Sequence, residues 1–546
     1  MRHLQPPPAA DTLFDLEALA WWHTQLSVGA LRHLQQGWQG LFQRTILGLL
    51  ERPAEALGAH FDEALGRPTK ELYALAGLLL IAEFKNYTID QAAEAWSLDA
   101  GVQFALHLPR DRQYLCPRTL DNYRRLLRED GDVQEIFTTV AAALVAELEL
   151  DIRRQRLDST HVLSQMAQLG RLQLLSVAVR RFLVQLHKHD PAAYAALESA
   201  LRERYEPAET RLFGLGTRTP QPREEALAQV AADLAFLVER FAHHGAHQAR
   251  ASYRALERLL REHCEVRAEK IEVRAQSRDE KGGSAHCLQN PSDPDAGYSG
   301  HKGAGHQVQL AQALPPRDAQ GQIEGPGLLT ACVSQSAGVR DNEALEEVLA
   351  QQSAAGLLPE QTVADTIYGS DANVRACAAL GVQLVSPVGG VAPQPGSEGR
   401  HRCTRAERAL KERLAARRRE QESEQFRTRY RARSGIEGVH RALDAVTGLK
   451  RLRVRGARAV QVAVTLKATG WNIAAAAKIL ARRARRTRPA GSARRLGLSR
   501  GFGCRRFGAR ACSSRRERLL RRGVRDFEPI AARAAPLTEN HFCAHI

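Results

Sequence analysis

The hydrophobic positions along the chain switch repeatedly between helical and strand period. Up to about residue 135 they recur at helical spacing. Ala76 to Phe84 is apolar on every side, the pattern of a buried helix. Thr88 with Gln91 forms a capping box that predicts a helix to about Trp96. Pro117 then precedes Arg118-Thr-Leu-Asp-Asn-Tyr-Arg-Arg-Leu-Leu-Arg128, a short basic helix with one aromatic. Its Arg118, Arg124 and Arg125 suit a DNA-contacting helix of a helix-turn-helix-like module. An ordinary amphipathic helix with a solvated basic face fits equally well.

The period then shortens. Leu148, Leu150 and Ile152 alternate with polar residues, which predicts a half-buried strand running into Leu157-Asp158-Ser159-Thr160. From about 165 to 275 the pattern is helical again, and Ser277 to Gly305 reads as an irregular loop. Strand signals cluster at His306 to Ala313, Leu328 to Ser334, Gln361 to Asp365 and Val382 to Pro387. Between them, Asp341 is placed to cap a helix through about Gln352, and Asp371 or Ser370 a helix stopping at Gly381. This order predicts a mixed α/β layered domain, with a five-stranded sheet of three antiparallel and two parallel strands. Arg405 to Leu443 is densely charged helix, and an amphipathic helix from Ala457 to Leu480 closes the fold. Three parts follow: a helical region 1–140, an α/β domain 145–480 with a helical insertion at about 165–275, and a tail 481–546.

The net charge of +17 suggests a nucleic-acid partner, but its location matters. The tail holds 18 Arg, no Lys and four acids, so the rest of the chain is only slightly basic. Rich in Arg, Gly and Ser and poor in apolar periodicity, the tail is expected to be disordered. It is either a DNA-binding arm or translation past the natural end of a GC-rich reading frame. The nine cysteines form no CxxC pair, against a disulfide framework or a zinc ribbon. The longest apolar run, Ala74 to Ala82, is too short to span a bilayer, and the N-terminus lacks the apolar core of a secretory signal. A cytoplasmic protein without a membrane partner is expected. His301 to His306 lacks further ligands at metal-binding spacing, and neither a phosphate loop nor a nucleophile elbow is present.

Three acids remain as candidates for chemistry. Cleaving a phosphodiester without a covalent intermediate requires an activated water and a neutralised leaving oxygen, which two hard cations about 4 Å apart provide. Mg²⁺, with Mn²⁺ as an alternative, takes oxygen ligands, so two or three carboxylates at strand ends and on an adjoining helix suffice. Asp158 ends the first strand, although an Asx turn also suits it. Asp365 ends a short apolar strand and is preferred over Asp341 and Asp371, which read as caps. Tyr430, Arg433, Glu437 and Arg441 recur at three- and four-residue steps and would share one helix face. There Glu437 could reach a metal while Arg433 and Arg441 clamp phosphate oxygens and Tyr430 stacks beside them. The alternative is a solvated helix with local salt bridges.

Taken in order, several blocks resemble the bacterial insertion-sequence DDE transposases. They are Arg156-Leu-Asp-Ser-Thr-His-Val162, Pro291 to Gly303, Val363-Ala-Asp-Thr-Ile-Tyr-Gly-Ser370, Leu384 to Gly390, Tyr430-Arg-Ala-Arg-Ser-Gly-Ile-Glu-Gly438 and Gly448 to Gly456. The closest group carries a Y-x2-R-x3-E signature, and the similarity spans roughly residues 65 to 480. The resemblance implies an RNase H-like fold with a large helical insertion after the first strand, preceded by an all-helical DNA-binding domain. It implies that Asp158, Asp365 and Glu437 are the catalytic, magnesium-binding triad. It also implies hydrolysis at element ends, then attack of the freed 3′-hydroxyl on target DNA. The partners would be double-stranded DNA, as terminal inverted repeats and as target, and further copies of the chain in a homodimer or higher oligomer. Lys450 and Arg451 join the expected DNA contacts. Two positions depart from the group: Ile367, where Asn or Gly is commoner, and Asp444, where Lys or Arg is usual. On the expected face Asp444 would repel DNA. A catalytically inactive DNA-binding remnant is therefore the second reading, and a stand-alone nuclease the third.

Overall fold

The computed structural model describes residues 2, 4, 26–108, 114–130, 132–205, 220–267, 270–280, 282–390 and 404–486. Met1–Arg488 forms one compact unit; the second unit, Pro489–Ile546, lies outside the described residues, and with it nearly all of the expected tail.

Helix α1 (Leu72–Phe84) starts where the Glu71 carboxylate accepts the backbone N–H groups of Tyr73 and Ala74, and all its residues but Glu83 are buried. Helix α2 (Ile89–Leu98) opens with the Thr88–Gln91 capping box. Helix α3 (Pro117–Asp130) buries Leu120, Tyr123 and Leu127. Helix α4 (Val133–Glu147) ends at Leu148, and Glu149 follows with φ 49°. The expected strand at Leu148 to Ile152 is therefore absent. Leu148 and Leu150 face the helical core because the chain turns there, and a turn can mimic strand alternation over so few residues.

Strand β1 (Arg154–Val162) is the centre of the sheet. It leads into the insertion, whose helices α5 (Arg171–His189), α6 (Pro220–Phe241) and α7 (Ala251–His263) pack around Phe182, Tyr253 and Leu256 as a cluster of their own. A hairpin not expected from the sequence, β2 (Cys264–Arg267) with β3 (Lys270–Val273), closes it. A short strand β4 (Gly297–Ser299) pairs with the start of β5 (Gly303–Ala313). Strand β6 (Leu329–Ser336), helix α8 (Leu345–Ala354), strand β7 (Gln361–Val363), helix α9 (Asp371–Ala379) and strand β8 (Gln383–Val385) follow. The spatial order is β6–β5–β1–β7–β8, antiparallel on the β5 side of β1 and parallel on the β7 side. The fold is mixed α/β around a mixed sheet of five main strands, as the sequence order predicted.

The polar positions of β5 do not face water. Gln307, Gln309 and Gln312 are buried, because β5 is covered on both faces, and each finds a partner. Gln307 donates to the Val339 carbonyl, Gln309 to Asp341 and Gln312 to the Gly327 carbonyl. Unpaired, each buried amide would cost ~1–3 kcal/mol.

Side chains of β1 alternate between the two layers. Leu157 faces α8 and α9. Val162, with Val308 and Leu310, faces helices α12 (Ile436–Thr447) and α13 (Ala457–Arg486). Helix α13 is the common spine: Trp471 packs on the sheet cluster, while Val462, Leu466 and Ile473 join α1 and α4 in one core. Buried Lys467 donates to the Thr447 carbonyl at 2.7 Å and pairs with Glu83 at 3.0 Å, fastening the end of α12 to α1. The spine runs six residues into the segment expected to be disordered. Arg483 there pairs with Glu324 at 2.8 Å, which anchors the last turns.

Candidate active site

Arg156 on β1 pairs in parallel with Val363 on β7. Counting two residues on in each strand brings the chain to Asp158 and to Asp365. Side chains alternate with period two, so both carboxylates leave on the face that Arg156 occupies. Asp365 also caps the short turn Thr366–Tyr368 by accepting the Ile367 N–H at 2.8 Å. Ser159 donates its N–H to Asp158 at 3.0 Å.

The guanidinium of Arg433 sits between the two acids, 3.8 Å from Asp158 and 3.7 Å from Asp365. These separations are ion contacts, too long for hydrogen bonds. The Asp158 side chain is only 14% exposed, against 28% for Asp365. Burial pushes the Asp158 pKa above the usual carboxylate value; Arg433 and the Ser159 N–H oppose the rise, while Asp365 adds to it. Two half-sequestered carboxylates therefore share a place that calls for positive charge, and Arg433 supplies it here.

Arg433 reaches this place because the expected helix is broken. Helix α11 (Glu424–Tyr430) follows helix α10 (Arg405–Gln421) and gives way to a 3-10 turn, Arg431–Gly435, before α12 begins. Arg156 explains the break. Its buried guanidinium donates to the Gln312 amide oxygen at 2.9 and 2.7 Å and to the Ala432 carbonyl at 3.2 Å. It lies so close to Gly435 that a β-carbon there would collide with it. Tyr430, Arg433, Glu437 and Arg441 consequently do not share one continuous α-helical face. Tyr430 stacks on Phe426, ring centroids 5.8 Å apart, against Val363 and Val385 at the strand ends. Glu437 lies exposed in the first turn of α12, and Arg441 is exposed one turn on. Glu437 makes no hydrogen bond or ion pair among the described residues. No group of three acids, histidines or cysteines poised to hold a metal occurs among them either.

Asp341, which the sequence marked as a cap, does not cap. The turn Asp341–Ala344 follows Arg340 with no side-chain cap. Its carboxylate instead accepts from Ser159 Oγ at 2.8 Å and from Gln309 at 3.2 Å, and Lys302 Nζ meets the same Ser159 Oγ at 3.2 Å. Ser370, rather than Asp371, caps α9; Asp371 pairs with Arg413 at 2.7 Å. Arg156, Lys302 and His440 were not singled out from the sequence. Arg156 stands two residues before Asp158 on one strand face, a signal that could have been read. His440 is buried with its Nε2 unpartnered. Burial, with Lys450, Arg156, Lys302 and Arg433 nearby, pushes its pKa down to about 4, so it is neutral near pH 7.

Among the described residues, none of the other expected basic residues forms an ion pair with Asp158 or Asp365. On α3, Arg124 pairs with Asp121 and Arg125 with Glu129, while Arg118 is exposed. Lys450 and Arg451 are exposed at the start of an extended segment. The Lys450 carbonyl accepts the Leu163 N–H at 2.9 Å, just past β1. Asp444 is not placed as a free repelling charge. It is half-buried and accepts the Lys450 N–H at 2.8 Å across a turn in which Gly448 has φ 65°.

A family model described as Transposase DDE domain matches residues 315–473. Over these residues the chain is similar to the transposase DDE domain. The match includes Asp365, Arg433 and Glu437, while Asp158, β1 and the insertion precede it. It supports a DDE transposase of the insertion-sequence type. Neither a curated protein nor a solved structure matches the chain. No helix among the described residues is long and apolar enough to cross a membrane.

Proposed function

We propose that the chain is the transposase of a bacterial insertion sequence, cutting DNA at the element's ends and joining the freed 3′-hydroxyl to target DNA. The observation that carries this reading is that Asp158 on β1 and Asp365, two residues past the paired end of β7, lie on either side of one guanidinium, 3.8 and 3.7 Å from it. A transposase DDE domain implies a DNA substrate and an enzyme of the nuclease and transposase kind. The fold reading that goes with it is RNase H-like, with β1 central in a five-stranded sheet. In this reading residues 1–140 bind DNA, 145–480 form the catalytic domain with its insertion, and a homodimer or larger assembly works on the inverted repeats in the bacterial cytoplasm.

Such domains generally use divalent metal ions, and the residues here fit one. The donors are hard carboxylate oxygens without sulfur or imidazole, the preference of Mg²⁺ or Mn²⁺, and the same place already attracts a guanidinium. Asp158 and Asp365 would hold the ions, and Glu437 would complete the donor set once the Arg431–Gly435 turn moves. When bound, such ions activate the attacking oxygen and neutralise the leaving one. Arg433, released from the carboxylates, would clamp the phosphate, a role that guanidinium geometry suits. Lys302 and Tyr430 border the same place and would orient the strand.

The test is direct. Full-length protein with Mg²⁺ should nick a duplex carrying the DNA that flanks its reading frame. Asp158→Ala, Asp365→Ala and Glu437→Ala should each abolish nicking and leave binding largely intact. Binding without nicking by the unmutated protein would replace this reading with the inactive remnant. Equal nicking of repeat-free DNA would replace it with a stand-alone nuclease.

A further inference from the structure

The insertion carries a groove remote from the acids. Helix α5 and the start of α7 line it with Val177, Arg180, Arg181, Val184, Arg250 and Ser252, around a volume of about 540 Å³. No carboxylate lines it. Arg180 and Arg250 form no ion pair among the described residues, and Arg181 donates only to Ser292 Oγ, at 2.8 Å. Arg250 Nε and Ser252 Oγ are buried without partners. Three guanidinium groups kept together without a counter-charge are unfavourable unless an anion visits them. Helix α7 also begins here without a side-chain cap, which adds its positive end to the arginines.

A row of exposed arginines stands between the groove and the strand that carries Asp158. Arg455 lies near enough to Arg181 to depress its pKa, after the larger effect of burial. In the extended segment from Arg451 to Arg455, Leu452 and Val454 are buried while Arg451, Arg453 and Arg455 are exposed. That segment runs parallel to the continuation of β1, through Leu452 N–H to the Leu163 carbonyl at 2.8 Å and Gln165 N–H to the Val454 carbonyl at 2.9 Å. At strand rise, Asp158 to Leu163 and then Arg451 to Arg455 cover roughly 30 Å, close to one turn of duplex.

We infer that the Arg180–Arg181–Arg250 groove of the insertion binds the phosphodiester backbone of the duplex whose scissile bond lies at Asp158 and Asp365, about one helical turn away. This inference rests on the proposed function and adds to it the track along which DNA leaves the site. The groove meets phosphate and so carries no sequence preference.

The experiment compares full-length protein with Arg180→Gln/Arg181→Gln/Arg250→Gln and with the corresponding triple Lys variant, on the flanking-DNA duplex. For every phosphate left unneutralised, the slope of log K against log[salt] should fall by about 0.9. The Gln variant should therefore show a slope shallower by up to about 2.7. Hydroxyl-radical protection should vanish about ten base pairs from the scissile bond and persist around it. The Lys variant, which keeps the charge, should retain the slope. If the Gln variant keeps both slope and footprint while the unmutated protein binds and nicks, the groove assignment is wrong and the transposase reading stands. If the unmutated protein does not bind DNA, both fall. Equal weakening in the Gln and Lys variants would mean a structural role and would also overturn the inference.

Discussion

Arg433 holds its guanidinium 3.8 Å from the Asp158 carboxylate, where a metal ion would compete with it. Removing that cation should favour a divalent ion at the two acids. Arg433→Gln is expected to bind Mn²⁺ about five- to tenfold more tightly by calorimetry, roughly the effect of 1 kcal/mol or a little more for a partly solvated pair. Nicking should nevertheless fall at least tenfold, because the phosphate loses its clamp. Weaker Mn²⁺ binding by the variant would show that Arg433 supports the metal site and does not compete for it.

Asp158 should cost the metal-free fold some stability. Its folded pKa is raised, chiefly by burial, so the unfolded chain gives up this proton at lower pH than the folded one. The resulting penalty is present above the folded pKa and disappears as pH falls below the unfolded value. Asp158→Asn should therefore melt higher than the unmutated protein at pH 7, by about a degree or more, and should not cleave. A lower melting temperature at pH 7 would mean that the Arg433 contact outweighs burial.

His440 should make the protein acid-sensitive. Its folded pKa is lowered to about 4 from 6.5, so its contribution is fully present above pH 6.5 and is lost as pH falls toward 4. The loss is roughly 3 kcal/mol. His263, also lowered to about 4, adds a second contribution over the same window. Urea denaturation at pH 7 and pH 4.5 should show a clearly smaller drop for His440→Leu than for the unmutated chain. An unchanged drop would assign the acid sensitivity elsewhere.

Asp444 separates two opposite expectations. Were it simply a repelling charge, Asp444→Ala would tighten DNA binding. Because it holds the Lys450 N–H, the variant should lose about 1 kcal/mol of stability and bind DNA less well as Lys450 and Arg451 lose their placement. Electrophoretic mobility shifts with the flanking duplex decide between them, and tighter binding would reject the bracing role.

The local pattern by itself determined the elements of this protein: the buried α1, the capping box of α2, four of the five main sheet strands, and the strand and helix order that makes a mixed sheet. It also offered Asp158, Asp365 and Arg433 as candidates, and the resemblance of the motif blocks set them apart from ordinary caps and solvated charges. Tertiary structure alone decided which residues meet. The parallel register of Arg156 with Val363, made by hydrogen bonds between segments some 200 residues apart, brings Asp158 and Asp365 to one level and one face. The buried Arg156 guanidinium, beside Gly435, interrupts a helix that spacing alone would run straight through. That break is why Arg433, and not Glu437, stands between the aspartates. Spacing reports local geometry only; charge desolvation and close packing between distant segments chose the rest.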